Sequence, residues 1–174
     1  SSSSNLSIGG IVGTVRGGFV IDQCHNSGAV SGGVMSMGGV AGFLNEAPTT
    51  VINSYNTGSV TSTNTYATAR TGGVVGTSEN DSCTVQNTYN AGTITVSNSG
   101  NYNAGVIGYA KGNTNVSNNY YLDTTASIGL GNAADNAVSK TSDELEALAP
   151  TLGDKFKEGS VYPILTWQTE ASPE

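Results

Sequence analysis

The stretch "VINSYNTGSV", residues 51–60, decides the reading of the fold, because the chain writes nearly the same words elsewhere. Upstream stands "IDQCHNSGAV" (21–30), downstream "VQNTYNAGTI" (85–94), and a degraded copy reads "VSNNYYLD" (116–123). Each follows a glycine-rich apolar run: "IGGIVG" (8–13), "MGGVAG" (37–42), "TGGVVG" (71–76) and "NAGVIG" (103–108), starting 29, 34 and 32 residues apart. Ile21, Val51, Val85 and Val116 open the second unit, and Val30, Val60 and Ile94 close it. Repeats of 20 to 50 residues indicate a solenoid, propeller or array. Helical repeats would space their apolar residues at i, i+3, i+4 and i+7. Here β-branched residues come in short bursts broken by Gly, Asn and Ser, which is strand-and-turn chemistry. A propeller blade needs about 40 residues for its four strands, so some 30 residues with two or three short strands suit one coil of a parallel β-solenoid. The fold expected is all-β: a right-handed parallel β-solenoid (β-helix) of about four coils of ~30 residues, with a short α-helical C-terminal cap.

Stacking explains the repeated letters. Equivalent positions lie one above another at about 4.8 Å, so the Ile and Val columns form a continuous core. Asparagine tolerates left-handed corners, and stacked Asn side chains form ladders. Gly58 and its counterparts Gly28 and Gly92 are expected at corners with positive φ. Tyr55, Tyr89 and Tyr120, with His25 in the first copy, should stack ring on ring.

The bulk composition agrees with an ordered chain of few charges. Of 174 residues, 36% are hydrophobic and 11% charged, against roughly 25% charged in an average soluble domain. The net charge of −7 is uneven: four acids and three bases up to Tyr121, then nine acids and three bases. The chain thus divides into a repeat solenoid over 1–121 and a C-terminal cap over 122–174. No basic cluster exists for nucleic acid or an anionic membrane. No run of 18 apolar residues predicts a membrane-spanning helix. The opening "SSSS" and closing "EASPE" read as linker ends of a longer chain. Cys24 and Cys83 make no disulfide framework, and two coils of separation, about 10 Å, is too far for a bridge. Cys24 stands where Ser54 and Thr88 stand, as a small packed residue.

The pattern Gly-Gly-Ile/Val-Val-Gly followed by Val-x-Asn-Ser/Thr-Tyr-Asn-x-Gly-x-Val resembles the GLUG repeat of bacterial surface proteins, over about residues 8–121. "VYPILTWQ" (161–168), after "YYLD" (120–123), is similar to the ending of such blocks in surface proteins of gut Firmicutes. The resemblance implies an extracellular, bacterial cell-surface location and a non-catalytic role in adhesion or spacing. Its partners would be neighbouring domains of a larger surface protein and a host or cell-surface glycan or protein. Ala104 for the first glycine and Tyr121 for the second asparagine depart from the pattern and mark the last coil before a cap.

In the tail, "TSDELEALA" (141–149) reads as a helix start, with Thr141 as N-cap and Glu144 three residues on completing a capping box. Asp143 and Glu144 suit the positive end of the helix dipole, and Pro150 ends the helix or begins a short turn. This helix, with Tyr162, Ile164, Leu165 and Trp167, is expected to plug the C-terminal end of the solenoid. At the other end, either further chain or a short strand from residues 1–8 covers the first coil.

Chemistry is sparse. His25 is the only histidine, in a column otherwise Tyr, so stacking is its expected role. Any Ser-His-Asp site would need it, with Asp22 or Asp81 as partner and no marked nucleophile. A β-helix polysaccharide-acting enzyme needs acids converging on one groove, and the repeat region holds only Asp22, Glu46, Glu79 and Asp81. No cofactor or catalytic residue is assigned. "DTTASIGLGNAADN" (123–136) lacks the Asp-x-Asp-x-Asp-Gly calcium pattern, so no metal site is assigned either. An ice-binding reading would need threonine arrays, and Ser31, Thr61 and Thr95 supply one hydroxyl per coil. The candidate ligand-binding residues are aromatic: Tyr66 and Tyr102 in inter-copy loops, and Phe43 and Tyr109 after the last Gly of the apolar run. Exposed rings stack on sugar faces, which makes a carbohydrate-binding module the alternative. The bland alternative for Phe43 and Tyr109 is packing at coil corners.

Overall fold

The computed structural model describes residues 6–46, 48–132 and 136–169. The serine run, the closing "EASPE" and residues 133–135 of the 123–136 stretch lie outside them. The first coil contains β1 (Ser7–Gly9), β2 (Val12–Val15), β3 (Val20–Asp22), β4 (His25–Asn26) and β5 (Val30–Gly32). The second contains β6 (Ser36–Gly38), β7 (Ala41–Leu44), β8 (Thr50–Asn56) and β9 (Val60–Ser62). The third contains β10 (Arg70–Gly72), β11 (Val75–Ser78), β12 (Thr84–Asn90) and β13 (Ile94–Val96). The fourth has β14 (Asn103–Ala104), β15 (Ile107–Ala110) and β16 (Asn115–Leu122). Beyond it come β17 (Ala137–Lys140), α1 (Ser142–Glu146), α2 (Ala149–Leu152), β18 (Phe156–Lys157) and β19 (Ile164–Leu165).

The chain is a parallel β-solenoid of about four turns. Sheet A runs β1-β6-β10-β14, sheet B β2-β7-β11-β15, sheet C from β3 and β4 through β8, β12 and β16 to β17, and sheet D β5-β9-β13. The columns read from sequence are the columns that pair: Ile21, Val51, Val85 and Val116 in sheet C, and Val30, Val60 and Ile94 in sheet D. The first three coils have strands in all four sheets, not the two or three expected. The glycine-rich run supplies two of them, because each coil turns sharply between sheets A and B within residues such as Gly39 and Val40. Val40, Val74 and Val106 point inward there and are fully buried.

The two asparagines of the repeat do different work. Asn56 is fully buried; its Nδ2 donates to Asn90 Oδ1 and to the Gly58 carbonyl, each at 2.8 Å, while its Oδ1 accepts from Asn26 Nδ2 at 2.8 Å. The glycine-rich half exists partly to admit this ladder. A Cβ on Gly39 or Gly73 would lie 2.3 Å from the Cγ of Asn56 or Asn90. In the last coil Tyr121 takes the ladder position, where a Cβ on Gly105 would lie 2.3 Å from its Cγ. Asn53, Asn87 and Asn118 take the left-handed corner, with φ of 47°, 52° and 56°. Their side chains form a second ladder that ends on Asp22, Asn53 Nδ2 donating to Asp22 Oδ1 at 2.7 Å. The expectation of positive φ at Gly28, Gly58 and Gly92 is therefore corrected: the asparagines carry the corner. Gly58 and Gly92 are glycines because a Cβ would lie 2.0 and 1.9 Å from the carbonyl oxygen of the preceding coil's glycine.

The tyrosine column stacks in part. His25 lies 5.3 Å from Tyr55 at 19°, and Tyr55 lies 4.8 Å from Tyr89 at 5°. Among the described residues the stack stops there; Tyr120 donates its hydroxyl to Asn118 Oδ1 at 2.6 Å. Beyond Tyr89, Leu145, Leu148 and Leu152 pack with the column instead.

The C-terminal segment caps the last coil, but the part of it that does so is Leu130 with β17, not the helix with Tyr162, Ile164, Leu165 and Trp167. Leu130 and Ala137 join the core of the solenoid at its C-terminal end, Leu130 bridging to Ile107 and β17 pairing with β16. The helices and the β18–β19 hairpin form a strap on the outer side of sheet C, over the tyrosines. The Tyr89 hydroxyl donates to the Pro163 carbonyl, the Tyr55 hydroxyl to Gln168 Oε1 at 2.9 Å, and Trp167 Nε1 to the Gln23 carbonyl at 3.3 Å. Trp167 thus reaches the first coil, 5.8 Å from His25. The outward column of rings offers apolar surface, and the strap's leucines and Phe156 are buried against it.

The capping box at Thr141 and Glu144 is formed. Thr141→Ala should cost about 1 kcal/mol, read as a fall in Tm of about 2–4 °C. The bond from the Thr141 backbone N–H, then the Lys140 charge, hold the Glu144 carboxyl below its ordinary 4.5. A carboxyl with a lowered folded pKa stabilises above its unfolded value and loses that contribution as pH falls through the folded one. Glu144→Ala should therefore lower Tm at pH 7 and have less effect at pH 3.

Candidate functional site

Outward residues of sheets A and B face one another across the sharp turn and line a groove. Ser36 Oγ donates to the Gly42 carbonyl at 2.7 Å and to Thr77 Oγ1 at 2.6 Å, tying the two sheets together at its floor. The register places Thr14, Phe43, Thr77 and Tyr109 in one column of sheet B, and Ser7, Ser36 and Arg70 in one column of sheet A. Phe43 and Tyr109 lie two coils apart, about 10 Å by strand spacing. A cavity of about 320 Å³ opens here, lined by Leu6, Met35, Phe43, Thr68, Arg70 and Glu79 among others.

Arg70 is the centre of the groove's polar chemistry. Its guanidinium pairs with Glu79 and lies 4.0 Å from the centroid of the Tyr109 ring. Tyr102 meets Tyr109 edge-on, with centroids 5.6 Å apart and planes at 77°. A partly buried Arg on an aromatic face, flanked by a carboxylate, offers a planar donor fork and an acceptor beside apolar rings.

Of the four aromatic candidates Phe43 lines the cavity, while Tyr109 stands beside it under the Arg70 guanidinium and Tyr102 meets Tyr109 edge-on. Phe43 and Tyr109 sit mid-strand on the outer face of sheet B, not at coil corners. Tyr102 precedes β14 and supports Tyr109. Tyr66 stands apart, 69% exposed on the 63–69 loop whose Thr68 lines the cavity. Arg70 and Glu79 escaped sequence reasoning because each looks like an isolated charge. The available signal was that Arg70 shares the column of Ser7 and Ser36, and Glu79 directly follows β11.

Of the other reactive residues, His25, Asp22 and the two cysteines are held in the structure of the coils. His25 stacks as expected. Asp22 terminates the corner ladder, and Asp81 lies exposed in the turn before β12. Burial, and then the Asp22 carboxylate, push the Cys24 thiol up, the opposite of nucleophile activation. Cys24 and the buried Cys83 are both free. Ser31, Thr61 and Thr95 form one column, one hydroxyl per coil. Among the described residues, no group of three His, Cys, Asp or Glu is placed to hold a metal ion, and no helix is long and apolar enough to cross a membrane. No family model, curated protein or solved structure matches the chain.

Proposed function

We propose that the chain is a non-catalytic extracellular module of a bacterial surface protein, serving as a rigid spacer or adhesive unit. The observation that carries this reading is the fate of the repeat's polar side chains. The asparagines that define the motif bond coil to coil through the two ladders, so the motif makes a stiff stack and leaves the outer surface to vary. The resemblance of the repeat to GLUG repeats supports the cell-surface setting and partners among neighbouring domains or host ligands. The test is a panel of plant, bacterial and host polysaccharides assayed for released reducing ends. No release is expected; release that Asp22→Asn or Asp81→Asn abolishes would overturn the non-catalytic reading.

A second reading, carbohydrate binding, is favoured by the groove, where Phe43 and the Arg70–Glu79 pair line one cavity and the Tyr109 ring backs Arg70 beside it. Each ring stacked on a sugar face is worth on the order of 1 kcal/mol, so Phe43→Ala and Tyr109→Ala should each weaken glycan binding at least about fivefold. Tyr66→Ala should change it less. A glycan array with spotted matrix proteins and mucins, followed by calorimetry on any hit, measures this. Binding indifferent to both groove substitutions would leave the groove without that role.

A further inference from the structure

The first coil leaves an apolar face uncovered by the described residues. Ile11 follows the register of Val40, Val74 and Val106, yet it is 46% exposed where those three are fully buried. Phe19 and Val20 are 65% and 61% exposed. A cavity of about 540 Å³ opens at this end against Ile11, Val15, Phe19 and Ile21. Arg16 and Asp22 stand at the margin of this cavity, but its apolar floor is an edge of the kind that solenoids ordinarily cover.

Two further observations name the occupant. Gly58 and Gly92 are required by the carbonyl of the coil before each. Gly28 occupies the same column, but its φ is not positive, and a Cβ there would meet only Asn26 Oδ1 at 3.6 Å, an ordinary contact. Nothing among the described residues requires glycine at 28. The buried ladder also has a direction: each Nδ2 donates toward the C-terminal side, Asn26 to Asn56 and Asn56 to Asn90. Asn26 is nine-tenths buried; its Oδ1 accepts the Gly28 N–H at 3.3 Å, and among the described residues it receives no amide donor of the kind that Asn56 and Asn90 each receive.

We infer that the open face of the first coil docks a further coil of the same repeat. Its glycine carbonyl would sit over Gly28 and its asparagine amide would donate to Asn26 Oδ1. A second copy of the described structure does not fit. Its C-terminal edge is closed by Leu130 and β17, and two open faces related by a two-fold axis would set acceptor against acceptor at Asn26.

The test is an in-phase graft. Ser7, Ser36 and Arg70 share a column, so a copy of residues 37–70 inserted between Ser7 and Ile8 preserves the register. A copy of residues 71–102 does the same, since Asn103 pairs with Thr71. Either insertion should raise Tm by about 4 °C or more, as an added coil contributes its own interface. Gly28→Ala should shift Tm by less than about 1 °C in the original chain. In the extended chain it should lower Tm by about 4 °C or more, as Gly58→Ala does in the original. Equal effects of Gly28→Ala in the two chains would overturn the proposal. So would failure of both extended chains to melt cooperatively as β-rich proteins. A dimer of the original chain that Ile11→Asp dissociates would assign the face to a second copy instead, and would equally overturn it.

Discussion

Asn56→Ala is expected to destabilise the protein by about 3 kcal/mol, because it removes the middle of a buried ladder. Asn56 is fully buried and makes ladder bonds to both neighbouring coils as well as to the Gly58 carbonyl. Alanine leaves the Asn26 amide and the Gly58 carbonyl short of partners and opens a void facing Gly39, which no Cβ fills. The lost bonds contribute about 1 kcal/mol each, and void and orphan terms add to them. For a chain of this size the expected fall in Tm is about 6–12 °C. Asn26→Ala, at the end of the ladder, should cost clearly less. Thermal or urea unfolding of the two variants side by side measures the difference. Equal small losses would mean the ladder is incidental to stability.

The second large effect is expected at Tyr89. Its ring is fully buried, stacked on Tyr55 and 6.2 Å from Phe156, and its hydroxyl donates to the Pro163 carbonyl. Burial pushes the phenol well above its ordinary pKa, so it remains a neutral donor. Tyr89→Ala should cost about 3–5 kcal/mol, a large share of the 5–15 kcal/mol typical of a folded domain. Tyr89→Phe should cost about 1–3 kcal/mol, through the orphaned buried carbonyl. The alanine variant should also release the strap. Trp167 is the chain's single tryptophan and reaches Gln23 and His25. Its emission should move to the red, and residues 153–169 should become sensitive to protease while the solenoid resists. Loss of stability with unchanged Trp167 emission would show that the strap docks without the tyrosine column.

Both effects follow from residues that the sequence already set apart, and this shows what is legible in a repeat. Register could be read before any coordinates, because translation by one coil puts like on like and every aligned pair is a contact. The capping box at Thr141 is legible for a similar reason: its partners are three residues apart. The Asn ladder was expected, yet not its division between Asn56 in the core and Asn53 at the corner. Both residue types suit both places, and only the pleat and the bend at Asn53 distinguish them. The glycines at 58 and 92 were expected for their dihedral freedom and proved necessary for close approach, which depends on where the next coil's carbonyl lies. The groove was less visible still. Phe43, Arg70, Glu79, Tyr102 and Tyr109 come from three coils and two sheets, and no spacing in the sequence declares that sheets A and B face each other.

The solenoid, its columns, its asparagine ladder and the start of its C-terminal helix are legible in the order of residues alone, since these rest on local spacing and on stacking of equivalent positions. The three-dimensional packing adds that the helices and the closing hairpin lie along the tyrosines while Leu130 and β17 close the end, that the groove brings Phe43 and the Arg70–Glu79 pair together, and that Gly28 and Asn26 face an open side. Those features depend on the angle at which unlike surfaces meet, and a repeat encodes the contact of each coil with its like but not the contact of a coil with something different.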